Sequence, residues 1–571
     1  MFHGWLDNRD ELKTELKFDH GAPEDAAIYI AALERWGDEA DLRCVGSYCT
    51  IVSEPGEELR LARSPYTAPP LYFHASPQLT LAASVPRAIF AAGVPSSLNR
   101  KRLIQNLLYY FDDYDADWYQ GVSMVPLGTT VRLGSGGMRQ RRFYDPARYL
   151  FTTKSGDDSP EQANALLDEA ADRVLAKFRK PAMLLSGGLD SPLAAAALLR
   201  RLPQDARLLS FTSRPCSDWD GTADFDRFGD EWPLVEEFAA RHPRLEPRSF
   251  RNDGIGFDHR ANDMLLAMGI APAGMANVFT RHALYEAARD SGCDGVVTAE
   301  LGNFTYSNDG RWVFGQQFRA MQWRRLALNL TAPHLDWRSP PRRLAAFVIM
   351  PMLPRGLRRT LRRLFKPSIR SALHTQTPLN PRLFADLDTR DADGEPLDPF
   401  EGTFPRDRRA DLRHFLDGGL EIEGDLIQGL EQVHGISHRE IAGYRPLVEF
   451  CLSLPPEEFL ADGTDRYLAR RMGAEILPDS IRLNARIGQQ NADWHARVRH
   501  QRDAVRAELH GYRQDTELSE LLDLDRLTAA LDDLPETTPA DAELRGTLSA
   551  GVSRAIWASR FVRFVNGRNL P

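Results

Sequence analysis

Short runs rich in Val, Leu, Tyr and Phe, punctuated by Gly, Pro and Ser, fill the chain to about residue 149; CVGSYCTIV, ELRLARS, PLYFHA and LTLAAS are the clearest. Runs of that length and composition predict antiparallel sheet, with one helix over residues 26–36. A polar stretch, TTKSGDDSPEQ, then reads as a linker. Beyond it the period changes. An amphipathic helix over 163–179 leads to an apolar strand over 182–185, followed by helix 193–200, strand 207–212, helices 234–241 and 278–290, and strand 295–298. Such alternation predicts an α/β domain with a doubly wound parallel sheet, preceded by an α+β domain. From about residue 315 the pattern is mostly helical, as in an extension packed on that sheet. The expected domains are residues 1–150 and 160–571.

Composition agrees with this picture and narrows the function. A chain of 571 residues is long for one core, and 43% apolar with 26% charged residues describes a globular protein. The formal charge of −9 argues against wholesale nucleic-acid binding. Cysteines at 44, 49, 216, 293 and 451 form neither a CxxC pair nor a zinc spacing, which fits a reducing cytoplasm. The opening MFHGWLDNRDEL has no apolar core for a signal peptide, and stretches such as 344–353 are too short to cross a bilayer. A cytoplasmic protein without a membrane span is expected.

The chemistry concentrates in Ser186, Gly187, Gly188, Leu189, Asp190 and Ser191, between an apolar strand and a helix. Two glycines let the backbone turn sharply and approach a ligand. Ser191 as N-cap and Pro192 at the first helical position would leave free N–H groups and the positive end of the helix facing that turn. This is a cradle for an anion. Asp190 inside it would repel phosphate unless it held a divalent cation such as Mg²⁺. No GxxxxGK[ST] loop occurs.

SGGLDS resembles the pyrophosphate loop of the ATP pyrophosphatases, which cleave ATP between the α and β phosphates. Further segments resemble the asparagine synthetase family in order: ERWG, LARSP, PPLYF and LAAS its amino-terminal domain, and VVTAELGN, LVEFCLSLP and ILPDSIRLNARIG its synthetase domain. In glutamine-dependent members the first domain is a glutaminase whose nucleophilic cysteine follows the initiator methionine. Phe2 stands there in this chain, and Cys44 and Cys49 read as buried apolar residues of a strand pair. The resemblance therefore implies a degenerate amidotransferase-like domain, with the amine supplied by the substrate. Within the family it points to the lasso-peptide cyclases, because AELGNFTYSNDG over 299–310 resembles their GNxTxS-type loop and Asn484–Gly488 replaces the usual RxKxG. Such enzymes adenylate an Asp or Glu side chain of a core peptide with ATP and Mg²⁺. They then close a macrolactam on the peptide's α-amine, releasing AMP and pyrophosphate.

That resemblance implies a set of roles. Asp190 would hold Mg²⁺, with Glu300 or Asn303 completing the shell, and Gly302 would give pyrophosphate access to the backbone. Leu209, Ser210 and Phe211 fit the strand whose backbone faces adenine, and Arg486 would stabilise negative charge during acyl transfer. Glu440 and Tyr444 lie near the acceptor side. Asp230 and Glu231 read either as first-turn helix acids or as neighbours of the nucleotide. Expected partners are the precursor peptide, a leader peptidase and a precursor-recognition protein. RGLRRTLRRLFK over 355–366 predicts a basic amphipathic helix, whose charged face is either solvated or a contact for a peptide, a partner or lipid. The rival readings are an ammonia-dependent asparagine synthetase, a β-lactam-synthetase-like enzyme, and a catalytically silent nucleotide- or peptide-binding protein.

Overall fold

The structure, a computed structural model, describes residues 1–567 except 19–22, 54–57, 109–116, 154–155, 157, 225, 273, 334, 355, 359, 362–375, 384–403 and 417–420. Strands β1 (Phe2–Leu6), β2 (Gly46–Val52), β3 (Leu59–Arg63), β4 (Tyr72–Ala75), β5 (Thr80–Ala83), β6 (Ser123–Met124), β7 (Thr129–Gly134) and β8 (Gly137–Arg142) build the first domain. They form two antiparallel sheets, ordered β1-β2-β3-β7-β8 and β5-β4-β6. Alternation along β2 explains the layering. Tyr48 faces Ile28, Tyr29 and Ala32 of the helix Asp25–Trp36, whereas Cys49 and Ile51 point into the core shared with Leu71, Phe73 and Val125.

The second domain contains β9 (Pro181–Leu184), β10 (Leu208–Ser213), β11 (Arg227–Phe228), β12 (Leu245–Phe250), β13 (Gly295–Thr298) and β14 (Ser437–Glu440). Apart from the short β11, these form one parallel sheet in the order β12-β10-β9-β13-β14. Its central strands are buried on both faces. Met183 and Val297 turn to the side covered by helices Ser159–Lys177 and Asp190–Arg201. Ala182 and Val296 turn to that covered by helices Ala261–Met268, Phe279–Asp290 and Val552–Val565. The order of strands reverses at β9: the chain runs outward through β10 and β12, then returns to lay β13 and β14 on the other side.

The sequence pattern anticipates β9, β10 and β13 but not β12 or β14. Proline and arginine interrupt LEPRSF in β12, and SHRE in β14 has no apolar residue. The buried polar groups of β14 are matched instead. Arg439 makes a buried ion pair with Asp7 of the first domain and lies 4.8 Å over the Trp5 ring, while Tyr72 donates to Asp425 at 2.7 Å across the same interface. Among the described residues no helix is long and apolar enough to cross a membrane. The basic segment 355–366 lies for the most part outside the described residues.

Candidate active site

Two loops meet where the strand order reverses, at the carboxyl ends of β9 and β13, the position at which open α/β sheets bind ligands. One is Ser186–Ser191. Its backbone is held by its own serines: the Ser186 N–H donates to Ser191 Oγ at 2.8 Å, and the two hydroxyls are 2.8 Å apart. The Gly187 N–H donates to Glu231 Oε2 at 3.2 Å. Burial raises the Glu231 pKa, and the bond from Gly187 offsets only part of that. The helix begins at Asp190 with Leu189 in the cap position, so Ser191 braces the loop from within the first turn instead of capping it.

The second loop, Ala299–Asn303, backs onto the first. A Cβ on Gly302 would stand 2.4 Å from Asp190 Cγ, so only glycine lets the two loops close to this distance. Asp190 Oδ1 is buried without a hydrogen-bond partner. Burial raises the pKa of this carboxyl against the opposing influence of Arg466 and the Ser307 hydroxyl. An orphaned buried carboxylate oxygen beside a phosphate-sized turn fits a cation shared with phosphate. Among the described residues no group of three or more His, Cys, Asp or Glu could hold a metal alone, so Mg²⁺ here would take one protein carboxylate, phosphate oxygens and water.

Above the loops lies a cleft of about 430 Å³. Leu184, Phe211 and Leu284 supply an apolar sector, and Arg214, Arg281, Arg466 and Arg497 bring positive charge. Three of these arginines are already matched: Arg214 to Asp230 at 2.6 Å, Arg281 to Glu300 at 2.6 Å, and Arg497 to Asp493. Arg466 makes no ion pair with a described residue. It holds a left-handed backbone (φ 50°) before the helix Tyr467–Met472. The far wall is Ile487–Gly488, paired in parallel with β11. A Cβ on Gly488 would meet Glu231 Oε1 at 1.9 Å, so this glycine lets Glu231 reach Gly187.

Comparison with known families fits this architecture. Residues 1–144 match the family model of the glutamine amidotransferase domain, and residues 317–558 match that of asparagine synthase. The chain thus carries an amidotransferase-type domain followed by an asparagine synthase domain. Neither match includes the loops at Ser186–Ser191 and Ala299–Asn303. A search of curated proteins gives no match. Solved structures similar to the chain include a glutamine phosphoribosylpyrophosphate amidotransferase from B. subtilis complexed with ADP and GMP, at 13% identity over 38% of this chain and 55% of that one, TM-score 0.19. Another is an allosteric regulatory enzyme of purine biosynthesis, at 13% identity over 43% of this chain and 59% of that one, TM-score 0.19. The chain thus spans between half and two thirds of either protein's length, and likenesses this distant say nothing of its activity.

The cleft gathers Ser186, Gly188, Leu189, Asp190, Ser191, Phe211, Glu300 and Asn303. Gly187 and Gly302 support it from behind, through Glu231 and Asp190 respectively. Leu209 and Ser210 do not line it, because both are buried inside the sheet. Glu300 is unsuited to a metal: its carboxylate is taken by Arg281 and by Glu423. Glu440 lies beneath the second loop, accepting from the Thr298 hydroxyl at 2.7 Å and the Glu300 N–H at 2.8 Å, and burial pushes it up to about 7. Tyr444 donates to Glu169 at 2.6 Å and does not line the cleft. Arg486 is exposed and lies next to the lining pair Ile487 and Gly488.

Arg466, Arg281 and Arg214 have no distinctive sequence setting, and only the fold gathers them. Glu231 has one usable signal, its place at the head of a helix shortly after a glycine. In the first domain, Cys44 and Cys49 are fully buried, and burial pushes both thiols up to about 12. Neither can act as a thiolate nucleophile near neutral pH.

Proposed function

We propose that this protein is an ATP- and Mg²⁺-dependent peptide macrolactam synthetase of the lasso-cyclase kind. The observation that carries the amide-ligase part is the meeting of Ser186–Ser191 with Gly302 at the strand-order reversal, around a buried carboxylate oxygen without a partner. The substrate's Asp or Glu carboxylate attacks the α-phosphorus of ATP, pyrophosphate leaves, and an acyl-adenylate forms. The peptide's α-amine then attacks the acyl carbon, AMP departs, and the amine's proton passes to solvent. The peptide loses the elements of one water overall.

Each residue has a stated task in this reading. The positive end of the helix that begins at Asp190 holds the pyrophosphate portion, while the Ser186 and Gly187 N–H groups stay with Ser191 and Glu231 and keep the loop in shape. Mg²⁺ held by Asp190 would offset phosphate charge. Arg466, the cleft arginine without a carboxylate partner among the described residues, binds phosphate oxygens, and Phe211 with Leu184 and Leu284 receives the adenine. Arg486 reaches in from the rim to offset charge during acyl transfer. Glu440 is a positioning residue, tying the backbone of Glu300 and Leu301 to β14.

The peptide amine as acceptor is supported by the state of the first domain, where neither cysteine of residues 1–150 is available to release ammonia from glutamine. Free precursor peptide, a leader peptidase and a precursor-recognition protein are the partners this reading requires. Incubation with ATP, Mg²⁺, the peptidase and precursor peptides should give a product lighter by one water with stoichiometric AMP. AMP formation from aspartate and ammonium, without a dehydrated peptide, would replace this reading with an asparagine synthetase.

A further inference from the structure

Strand β8 closes one side of the first domain's five-stranded sheet, and among the described residues no strand pairs with its outer edge. All six residues of β8, GMRQRR, are exposed. Its two faces differ. Arg139 and Arg141 point to one side, where Glu58 and Asp38 meet them at 2.6 Å and 3.2 Å. Met138, Gln140 and Arg142 point to the other, and all three line a cavity of about 450 Å³ that continues to Phe73 and Met124. Arg142 makes no ion pair with a described residue. Among the described residues the carboxylate lining this cavity is Asp117, which accepts from Ser123 Oγ at 2.6 Å and from the Met124 N–H at 3.3 Å.

An open strand edge beside a cavity that receives every second side chain is the arrangement by which sheets bind extended peptides. Backbone groups of β8 supply register-independent affinity, and the cavity reads alternate residues. A second copy of this chain is a poor occupant, since two β8 edges would bring arginine-rich strands side by side, and like charges across a pair repel. An acidic segment is favoured instead by the unmatched Arg142, with an apolar contact available at Met138 on the same face.

We propose that the β8 edge and its cavity are a docking site for an extended acidic peptide segment, the residue opposite Arg142 being Asp or Glu. For the identity of the natural occupant, a stretch of the peptide substrate outside the ring-forming part, the inference rests on the macrolactam reading. The amidotransferase-type domain would then serve as a substrate-holding module.

Fluorescence anisotropy with a labelled peptide of alternating valine and glutamate, and its valine–lysine counterpart, tests the surface on the full chain. The glutamate peptide should bind, the lysine peptide should not, and Arg142→Glu should weaken binding about tenfold or more with an unchanged circular dichroism spectrum and melting temperature. Equal binding by Arg142→Glu, or preference for the lysine peptide, overturns the proposal. So does self-association of the wild type that Arg142→Glu abolishes, which would make β8 an interface between copies. Asp190→Asn separates docking from chemistry, since it should lose AMP formation yet bind the glutamate peptide normally. If precursor peptides are cyclised but Arg142→Glu leaves their KM unchanged, the docking site fails and the macrolactam reading stands. If the glutamate peptide binds with the expected charge preference and no peptide is ever dehydrated, the reverse holds.

Discussion

Burial disfavours a charge on Asp190, and the same position faces the glycine turn that follows β9. A carboxyl whose folded pKa is raised contributes stability at low pH and loses it as pH rises through the folded value. Asp190→Asn should therefore leave the melting temperature unchanged or higher while AMP formation falls by about 10²–10³-fold; parallel differential scanning fluorimetry and AMP assays check both halves. Near-normal turnover would remove Asp190 from the site. Arg466 makes the complementary case. Replacing it with methionine removes the charge while keeping a long side chain, and should raise the KM for ATP about tenfold or more while leaving the fold intact, because it has no carboxylate partner among the described residues to strand. Cys44 and Cys49, with thiols pushed up to about 12, should resist iodoacetamide at pH 8 in the native protein; rapid labelling of either, read by mass spectrometry, would contradict their assignment as packing residues.

At the level of elements, the ends of β13 and β14 form a buried acidic cluster. Glu300 keeps its charge against Arg281, whereas burial and the Glu300 charge raise Glu423, and burial lifts Glu440 to about 7. Acids with raised folded pKa values stabilise the fold below the ordinary glutamate range, and that share is lost as pH climbs through their folded values. Melting temperature should therefore fall between about pH 5 and 8, and Glu423→Gln should flatten the slope. A slope unchanged in that variant would show that other groups set it. Gly488→Ala should drive Glu231 away from Gly187, loosening the first loop and raising the KM for ATP without loss of fold. These elements also show what the sequence can disclose. The strand and helix around SGGLDS are legible because apolar runs and a glycine turn coincide there. Ser191 reads as the cap from sequence alone, but its hydroxyl is used within the loop. β14 is illegible, because its polar residues are satisfied by Asp7, Thr298 and neighbouring backbone that lie far away in sequence. For the same reason sequence places Glu440 and Tyr444 on the acceptor side, whereas the folded chain uses both as internal hydrogen-bond partners.

For the whole molecule, the first domain is bolted to the sheet it precedes. Arg439 and Asp7 are each buried where the domains meet, with Tyr72–Asp425 and the Gln428 amide on the Ser84 carbonyl alongside. Breaking one partner of such a pair leaves an uncompensated buried charge, so Arg439→Ala should cost about 3–5 kcal/mol. Chemical denaturation should then show the wild type unfolding in one transition and the variant earlier, or in two; an unshifted midpoint would mean the domains do not support each other. Buried Cys44 and Cys49 in the first domain, and a β8 edge that is open among the described residues, agree with the proposal that the amine arrives on the substrate. The most direct test of that claim is mass spectrometry of precursor peptides incubated with the protein, its peptidase, ATP and Mg²⁺. Macrolactam formation gives a core peptide lighter by one water, formed one-for-one with AMP; AMP formation that needs only aspartate and ammonium, with every peptide unchanged, would rule it out.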